Sequence, residues 1–112
     1  MSLSTHVLDT RLGRPAAQVP VRLDRYDGGS WQPLAEASTD EDGRLGGLPG
    51  GGADLVAGIH RLRFGTGPYF AAQGVETFYP EVSVIFEVAD PSEHHHVPLL
   101  LSPYGYSTYR GS

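Results

Sequence analysis

The sequence predicts an all-β fold, either a sandwich or a barrel, that carries one short helix. Apolar residues recur at every second position in short runs, as in Val82, Val84, Phe86 and Val88, and this period is typical of a half-buried strand. The 15 glycines and 9 prolines separate these runs, so they indicate turns and not disorder. Many short strands joined by turns at this spacing are typical of sandwiches and barrels.

The N-terminal half predicts three strands joined by polar or glycine-rich turns. An Asp-Gly-Gly sequence between two strand-like runs favours a tight hairpin. In order, the segments are a strand over 3–8, a strand over 19–24, the turn Asp27-Gly28-Gly29, a returning strand over 31–37, the polar turn 40–44 and a flexible loop over 46–52.

The C-terminal half predicts the helix and the remaining strands. A strand over 57–64 precedes the helix, which Thr66 or Gly67 can cap, with Pro68 at its first position and Gly74 at its end. Strands over 82–88 and 94–101 follow, and the turn 102–105 leads into a last strand. We expect His60, which alternates with Leu62 and Phe64, to be a partly buried structural residue. The aromatic residues expected in the core are Trp31, Phe70, Phe78, Tyr79 and Phe86.

Size and charge limit the classes of function. The 112 residues predict a single domain over 1–112, which is small for an enzyme with a deep pocket, so a site between subunits is favoured. A net charge of −5, with all 8 basic residues scattered arginines, argues against nucleic acid or an acidic membrane as partner. The absence of cysteine excludes thiol catalysis. No signal peptide or membrane-spanning run is visible, so the cytoplasm is the expected compartment.

Alternation along the first strand predicts where its polar side chains point. If Leu3 and Val7 face the core, His6 faces outward, where a histidine that titrates near neutrality can move protons. Asp9 falls on the other face, so we do not expect it to orient the His6 ring. For a lone histidine the simpler interpretation is an ordinary surface residue.

The same alternation applies to the strand over 94–101. If Val97, Leu99 and Leu101 face the core, His96 faces outward. Leu100 then lies on the outer face as well, and an exposed apolar residue there predicts a surface covered by another subunit. Alternation does not establish that the two histidine-bearing strands are neighbours.

The run His94-His95-His96 allows a metal site as an alternative. His94 and His96 share a face, His6 could be a third ligand, and a catalytic zinc keeps one position open. No carboxylate or thiol is grouped with them, so adventitious binding is favoured and we expect no functional metal. The simpler interpretation of His94 and His95 is a solvated strand start.

Arginine and serine supply the remaining candidates. Arg44 either offsets the carboxylates of 40–42 or acts as a two-pronged donor to a planar, carbonyl-rich ligand, and Arg110 has the same chemistry. Ser107 and Ser112 suggest a serine nucleophile. However, no Gly-x-Ser-x-Gly sequence is present, and the terminal carboxylate beside Ser112 disfavours an alkoxide.

Four motifs together carry a resemblance to a known family. They are Ser4-Thr5-His6-Val7-Leu8-Asp9, Asp42-Gly43-Arg44, Thr77-Phe78-Tyr79-Pro80-Glu81-Val82 and the segment from His96-Val97-Pro98 to Tyr109-Arg110-Gly111-Ser112. With them the chain resembles, over essentially its whole length, the 5-hydroxyisourate hydrolases of the transthyretin-like family. It departs from them at His95, where the family often has tyrosine, and in the glycine-rich segment 46–52.

The resemblance implies a fold, an assembly and a reaction. The fold is a transthyretin-like two-sheet antiparallel β-sandwich of about eight strands with one short helix. The assembly is a homotetramer with its site in the channel between dimers. The reaction is hydrolysis of 5-hydroxyisourate, a small purine-derived substrate, to 2-oxo-4-hydroxy-4-carboxy-5-ureidoimidazoline in urate degradation. This is a cyclic amidohydrolase reaction that needs no cofactor.

The resemblance also implies roles for individual residues. His6 and His96 would activate water, Arg44 would bind substrate and offset charge, and Ser112 would complete the catalytic set. Tyr109, Arg110 and Gly111 would contact substrate. Two alternatives stay open: a tetramer that binds a small ligand without catalysis, and a zinc hydrolase that uses His6, His94 and His96.

Overall fold

The computed structural model describes residues 2–112 and confirms a sandwich of two sheets with one short helix. Every predicted strand forms, with ends that differ by a few residues, and the structure adds the two-residue β2 and the five-residue β5. In chain order the elements are β1 (Leu3–Asp9), β2 (Arg14–Pro15), β3 (Pro20–Asp27), β4 (Ser30–Ser38), β5 (Arg44–Leu48), β6 (Gly58–Phe64), α1 (Thr66–Ala71), β7 (Val82–Val88), β8 (His95–Ser102) and β9 (Gly105–Thr108).

One sheet joins the two ends of the sequence. β1 pairs with β8 on one side and with β2 and β5 on the other, and β9 lies beyond β8; the second sheet has the order β4-β3-β6-β7. The resemblance implied an antiparallel sandwich, and within residues 2–112 all strand pairs but one are antiparallel. The exception is the pair of β1 and β8, which run parallel, in register from Leu3↔His95 to Asp9↔Leu101. This pairing makes the two histidine-bearing strands neighbours.

The core lies between the two sheets and confirms the predicted alternation. Leu3 and Val7 are fully buried and His6 is not. On β8, Leu99 and Leu101 are buried while His96 and Leu100 are half-buried on the outer face. Asp9 is buried on the inner face, where its carboxylate accepts a hydrogen bond from the Tyr69 hydroxyl at 2.7 Å, so it does not orient His6.

The helix begins earlier than predicted. α1 starts at Thr66 with Gly65 as its N-cap, so neither predicted residue, Thr66 or Gly67, caps it. Pro68 is therefore the third helical residue and not the first. The Thr66 hydroxyl instead donates to the carbonyl of Tyr79 at 2.6 Å. The predicted end is confirmed, since Gly74 N–H donates to the carbonyl of Ala71 in a turn that closes the helix.

The glycine-rich segment 46–52 is only partly a loop. Its first three residues complete β5, which pairs with β1 from Leu3↔Leu48 to His6↔Arg44. Glycine has low strand propensity, but the neighbouring backbone of β1 supplies hydrogen-bond partners that local composition does not show. The turn begins only at Pro49.

Two of the predicted core aromatic residues lie at the surface. Phe70 is buried, and Tyr79 and Phe86 pack partly buried against the core. Phe78 is 71% exposed, because it lies in the segment before β7, where strand alternation does not apply. Trp31 is half-buried outside the core, with the Arg61 guanidinium 4.3 Å above its ring. Nowhere in residues 2–112 does a helix have the length and apolar character needed to cross a bilayer.

Candidate active site

Three strands of the first sheet and the C-terminal segment bring four sequence-predicted residues into one row on its outer face. Arg44 of β5 lies opposite His6 of β1. His96 of β8 lies two positions from Pro98, the partner of His6. From strand rise and spacing, the Cα atoms of His6 and His96 are about 8 Å apart. Gly111 forms an isolated bridge to His96 on the far side.

Gly43 allows the turn before β5 to reach this row. Its φ of 72° is a left-handed conformation, and a Cβ there would overlap the carbonyl oxygen of Val7. The Gly43 carbonyl in turn accepts from the N–H of Val7 at 2.8 Å. This close contact fixes Asp42 and Arg44 against β1, on either side of the glycine.

The same turn determines where His6 carries a proton. His6 Nε2 lies 2.9 Å from the carbonyl oxygen of Asp42. A carbonyl only accepts, so Nε2 must be the protonated nitrogen, and the neutral ring leaves a lone pair on Nδ1. Arg44 leaves its guanidinium free for a ligand, since it forms no ion pair with any residue of 2–112.

His96, like His6, is partly buried. Burial lowers its pKa below the usual 6.5, and the nearby His6, His94 and Arg44 lower it further. Its Nδ1 is 2.8 Å from the Ser4 hydroxyl. The lowered pKa keeps His96 neutral near pH 7, so one of its ring nitrogens has a lone pair available to accept a proton during a reaction.

The C-terminal segment closes one side of the His96 ring. Gly111 N–H donates to the carbonyl of His96 at 2.8 Å. A Cβ on Gly111 would overlap the imidazole and would approach Pro98 Cγ to 3.3 Å, so only glycine allows the backbone this close. Ser112 follows directly and is exposed at this end of the row.

Tyr109 and Arg110 are placed differently from Gly111. The Arg110 guanidinium donates to the Glu93 carboxylate at 3.0 Å, and both side chains are more than half exposed. Both residues line a cavity of about 140 Å³ that also touches His96 of β8 and Phe86 of β7. Arg110 thus shares this cavity with His96, while Arg44 is the arginine that lies opposite His6.

The histidine run divides by face. His94 Nε2 is 2.9 Å from the Ser4 hydroxyl on the outer surface. His95 is only 5% exposed, so its predicted solvated position is wrong; its Nδ1 donates to the carbonyl of Glu93. Among residues 2–112, no three histidine, aspartate or glutamate side chains are grouped to hold a metal ion, so His6, His94 and His96 do not form the ligand set of the zinc alternative.

His60 is buried completely, more than predicted. Its Nδ1 lies 3.0 Å from the carbonyl of Gly58, its Nε2 has no partner among residues 2–112, and its ring stacks on Phe86. Burial lowers its pKa, and the nearby Arg25 and His95 add to this. His60 faces the core, away from the outer row.

Ser4 is the site residue that sequence reasoning did not single out. Alternation placed it on the face of His6, but a lone serine carries no chemical signal. Its importance depends on the β1–β8 pairing, where Ser4 lies directly opposite His96.

Comparison with known proteins gives consistent results. A sequence profile described as the HIUase/Transthyretin family matches residues 3–111. The 5-hydroxyisourate hydrolase of Caulobacter vibrioides is 49% identical over 114 residues, covering 98% of this chain and 97% of that protein. The structure of Klebsiella pneumoniae 5-hydroxyisourate hydrolase is 39% identical, with a TM-score of 0.87 and coverage of 99% of this chain and 98% of that one.

A transthyretin has a similar fold. The structure of sea bream transthyretin in complex with thyroxine is 31% identical to this chain and has a TM-score of 0.89. The match covers 97% of this chain and 93% of that one. The fold is thus transthyretin-like, as the sequence motifs predicted, and it occurs both in a hydrolase and in a protein that binds thyroxine.

Proposed function

This chain belongs to the HIUase/Transthyretin family, and on that premise we propose that it is an enzyme that hydrolyses 5-hydroxyisourate. The product is 2-oxo-4-hydroxy-4-carboxy-5-ureidoimidazoline, formed in urate degradation. The observation that carries the proposal is the row of Arg44, His6 and His96 on one outer face. It places one cation and two imidazoles around a single surface.

The two histidines activate water. A water held between His6 Nδ1 and His96 Nε2 loses a proton to one imidazole as its oxygen attacks the carbonyl carbon beside a ring nitrogen. The carbon–nitrogen bond then breaks, and an imidazolium returns a proton to the leaving nitrogen. Proton transfer by positioned groups contributes about 10²–10⁴-fold.

Arg44 supplies the fixed positive charge. Its guanidinium donates to the flat, carbonyl-rich substrate and offsets the negative charge that develops on the attacked carbonyl oxygen. Because Arg44 lies opposite His6, its positive charge is close to the carbon that the water attacks. In this scheme no metal ion takes part.

The C-terminal residues complete the substrate surface. Gly111 holds the His96 ring in place, and the Ser112 hydroxyl donates a hydrogen bond to the substrate. Tyr109 and Arg110 contact the substrate at the edge of the site. The site lies in the channel of a homotetramer, where the half-buried Leu100 would be covered.

The test is the ultraviolet decay of 5-hydroxyisourate freshly made from urate by a uricase. We expect the protein to accelerate decay over the spontaneous rate, both with and without a strong chelator. Decay at the spontaneous rate, from protein shown to be folded, would contradict the proposal. Activity lost only with chelator would instead support a zinc-dependent site.

A ligand-binding tetramer is the second candidate. It is favoured by the likeness to a transthyretin solved with thyroxine. The three polar side chains of the row, His6, Arg44 and His96, would bind water in such a channel, which disfavours a largely aromatic ligand. Tight binding of a thyroxine-like ligand without turnover of 5-hydroxyisourate would support this candidate over the enzyme.

A further inference from the structure

One serine hydroxyl connects the site histidine His96 with the exposed His94. Ser4 Oγ is 2.8 Å from His96 Nδ1 and 2.9 Å from His94 Nε2. Both distances are within hydrogen-bond range. Ser4 is half-buried, and the His94 ring lies toward solvent. The three side chains therefore form a continuous chain of hydrogen bonds from the site to the surface.

Only two arrangements of this chain make both hydrogen bonds and give the Ser4 proton a partner while both rings are neutral. A hydroxyl has one proton and two lone pairs. Accepting from both rings would leave the Ser4 proton without a partner among residues 2–112, so Ser4 donates to one ring and accepts from the other. If Ser4 donates to His94 Nε2, it accepts from His96 Nδ1–H, and His96 Nε2 is left with a lone pair. If Ser4 donates to His96 Nδ1, the proton of His96 is on Nε2, which can no longer act as a base.

We propose that Ser4 is a positioning residue that fixes the tautomer of His96 and passes its surplus proton to His94. The inference rests on the proposed function, in which a histidine takes a proton from water. The first arrangement is the resting state, so the acceptor is His96 Nε2. Orientation of a reacting histidine through its other ring nitrogen is a general device of protein sites.

The proton path balances in three transfers. Water gives a proton to His96 Nε2 and leaves an imidazolium. His96 Nδ1 then gives its proton to Ser4 Oγ as the Ser4 proton moves to His94 Nε2. His94 becomes the cation, and water around its exposed ring stabilises the charge. When His96 Nε2 gives its proton to the leaving nitrogen, His94 Nε2–H returns a proton to Ser4 Oγ as the Ser4 proton moves to His96 Nδ1, which restores the resting arrangement.

The surroundings of His96 favour export of positive charge. Burial disfavours a charged His96, and the nearby His6, His94 and Arg44 disfavour it further. His6 and Arg44 lie on the same outer face, in the adjoining strands β1 and β5. His94 lies at the solvent-exposed end, where water can stabilise the charge.

The test combines nitrogen-15 NMR of the histidine rings with the pH–rate profile. In the free protein above the pKa of His96, we expect a proton on Nδ1 and a bare Nε2. Ser4→Ala should give mixed tautomers and lower kcat by about tenfold, the lower end of what loss of an outer partner of a functional histidine costs. Ser4→Thr, which keeps the hydroxyl, should restore the spectrum and most of the rate.

Two further variants complete the design. His94→Ala should leave His96 in place and shift the acidic limb of the pH–rate profile, because the proton then has no acceptor beyond Ser4. Ser83→Ala, a strand serine on the other sheet that donates to Glu81, is the matched control and should change neither readout.

The outcomes separate this inference from the proposed function. A wild-type His96 protonated on Nε2, or a Ser4→Ala spectrum identical to wild type, would overturn the relay even in an active enzyme. A loss of kcat in Ser4→Ala that is equal at every pH, with an unchanged tautomer, would also overturn it, since that indicates structural support alone. The NMR measurement needs no substrate, so it remains decisive if 5-hydroxyisourate is not turned over.

Discussion

Identical side chains in this protein differ in chemistry because their surroundings differ. His6 is held by a backbone carbonyl and His96 by a hydroxyl, whereas His60 has a carbonyl at one nitrogen and no partner within residues 2–112 at the other. Arg44 and Arg110 differ in the same way, since one guanidinium is unpaired within residues 2–112 and the other binds Glu93. Residue type alone therefore predicts the candidates but not their roles.

The two arginines give a direct test at this scale. We expect Arg44→Ala to lower kcat/KM for 5-hydroxyisourate by about 10²-fold, the lower end for loss of one charge-stabilising donor. Arg110→Ala should cost much less, because its guanidinium is engaged with Glu93 in an exposed pair. Steady-state kinetics of both variants checks this, and an equal or larger loss in Arg110→Ala would contradict the assignment.

His60 predicts how stability depends on pH. Its pKa is lowered in the folded protein by burial, so the unfolded chain binds more protons below about pH 6.5. The contribution of His60 to the free energy of unfolding is therefore complete above that pH and is lost as pH falls toward the folded pKa. The pKa of His96 is also lowered, so His96 acts in the same direction. Denaturant unfolding at several pH values should show a weaker acid loss in His60→Phe than in wild type.

A matched histidine variant makes that result specific. His94 is exposed and acts only as one of several causes of the lowered His96 pKa, so His94→Gln should change the acid loss of stability much less than His60→Phe does. A His60→Phe protein with the wild-type pH dependence would show that the buried ring is not its source.

At the scale of elements, pairing between distant strands assembles the site. Local alternation predicted the outward faces of His6 and His96, because period-two burial depends only on neighbouring residues. It could not predict that β1 and β8 pair in parallel, because those strands lie some 90 positions apart in sequence. Nor could it predict that residues 46–48 extend β5, since their hydrogen-bond partners lie on β1.

The C-terminal segment offers a test of element packing. Gly111→Ala adds a Cβ that overlaps the His96 ring, so the ring or the segment must move. We expect about a 10²-fold loss of kcat, as for a small misplacement of a reacting group, with little change in melting temperature. Gly105→Ala in β9 is the control, because its Cβ meets only Ser102 Oγ at 3.6 Å, an ordinary contact. Similar kinetics for the two variants would contradict the role of Gly111.

Over the whole molecule, several large apolar side chains are exposed when the chain is considered as a monomer. Ile85 is 61% exposed on the edge strand β7, and Tyr104 and Tyr106 are 69% and 43% exposed at the β8–β9 hairpin. Exposed apolar groups at sheet edges favour association with further copies. The sequence predicted this only through Leu100 and the family resemblance, because surface exposure depends on the assembled sheets.

The proposed homotetramer predicts a mass in solution. Light scattering should give four times the 12.0 kDa of the chain. Ile85→Glu on the exposed edge should lower that mass while the secondary structure, followed by circular dichroism, stays unchanged. A wild-type protein that remains monomeric at high concentration would contradict a site in a tetramer channel.

Catalysis by the paired histidines is tested by comparing wild type with His6→Ala and His96→Ala in the ultraviolet decay of 5-hydroxyisourate. Both variants should first be shown to keep the wild-type fold and mass. We expect fast decay with wild type and loss of most of the acceleration in each variant, by about 10²-fold or more. Near-wild-type turnover by either variant would contradict catalysis by the paired histidines of the outer face.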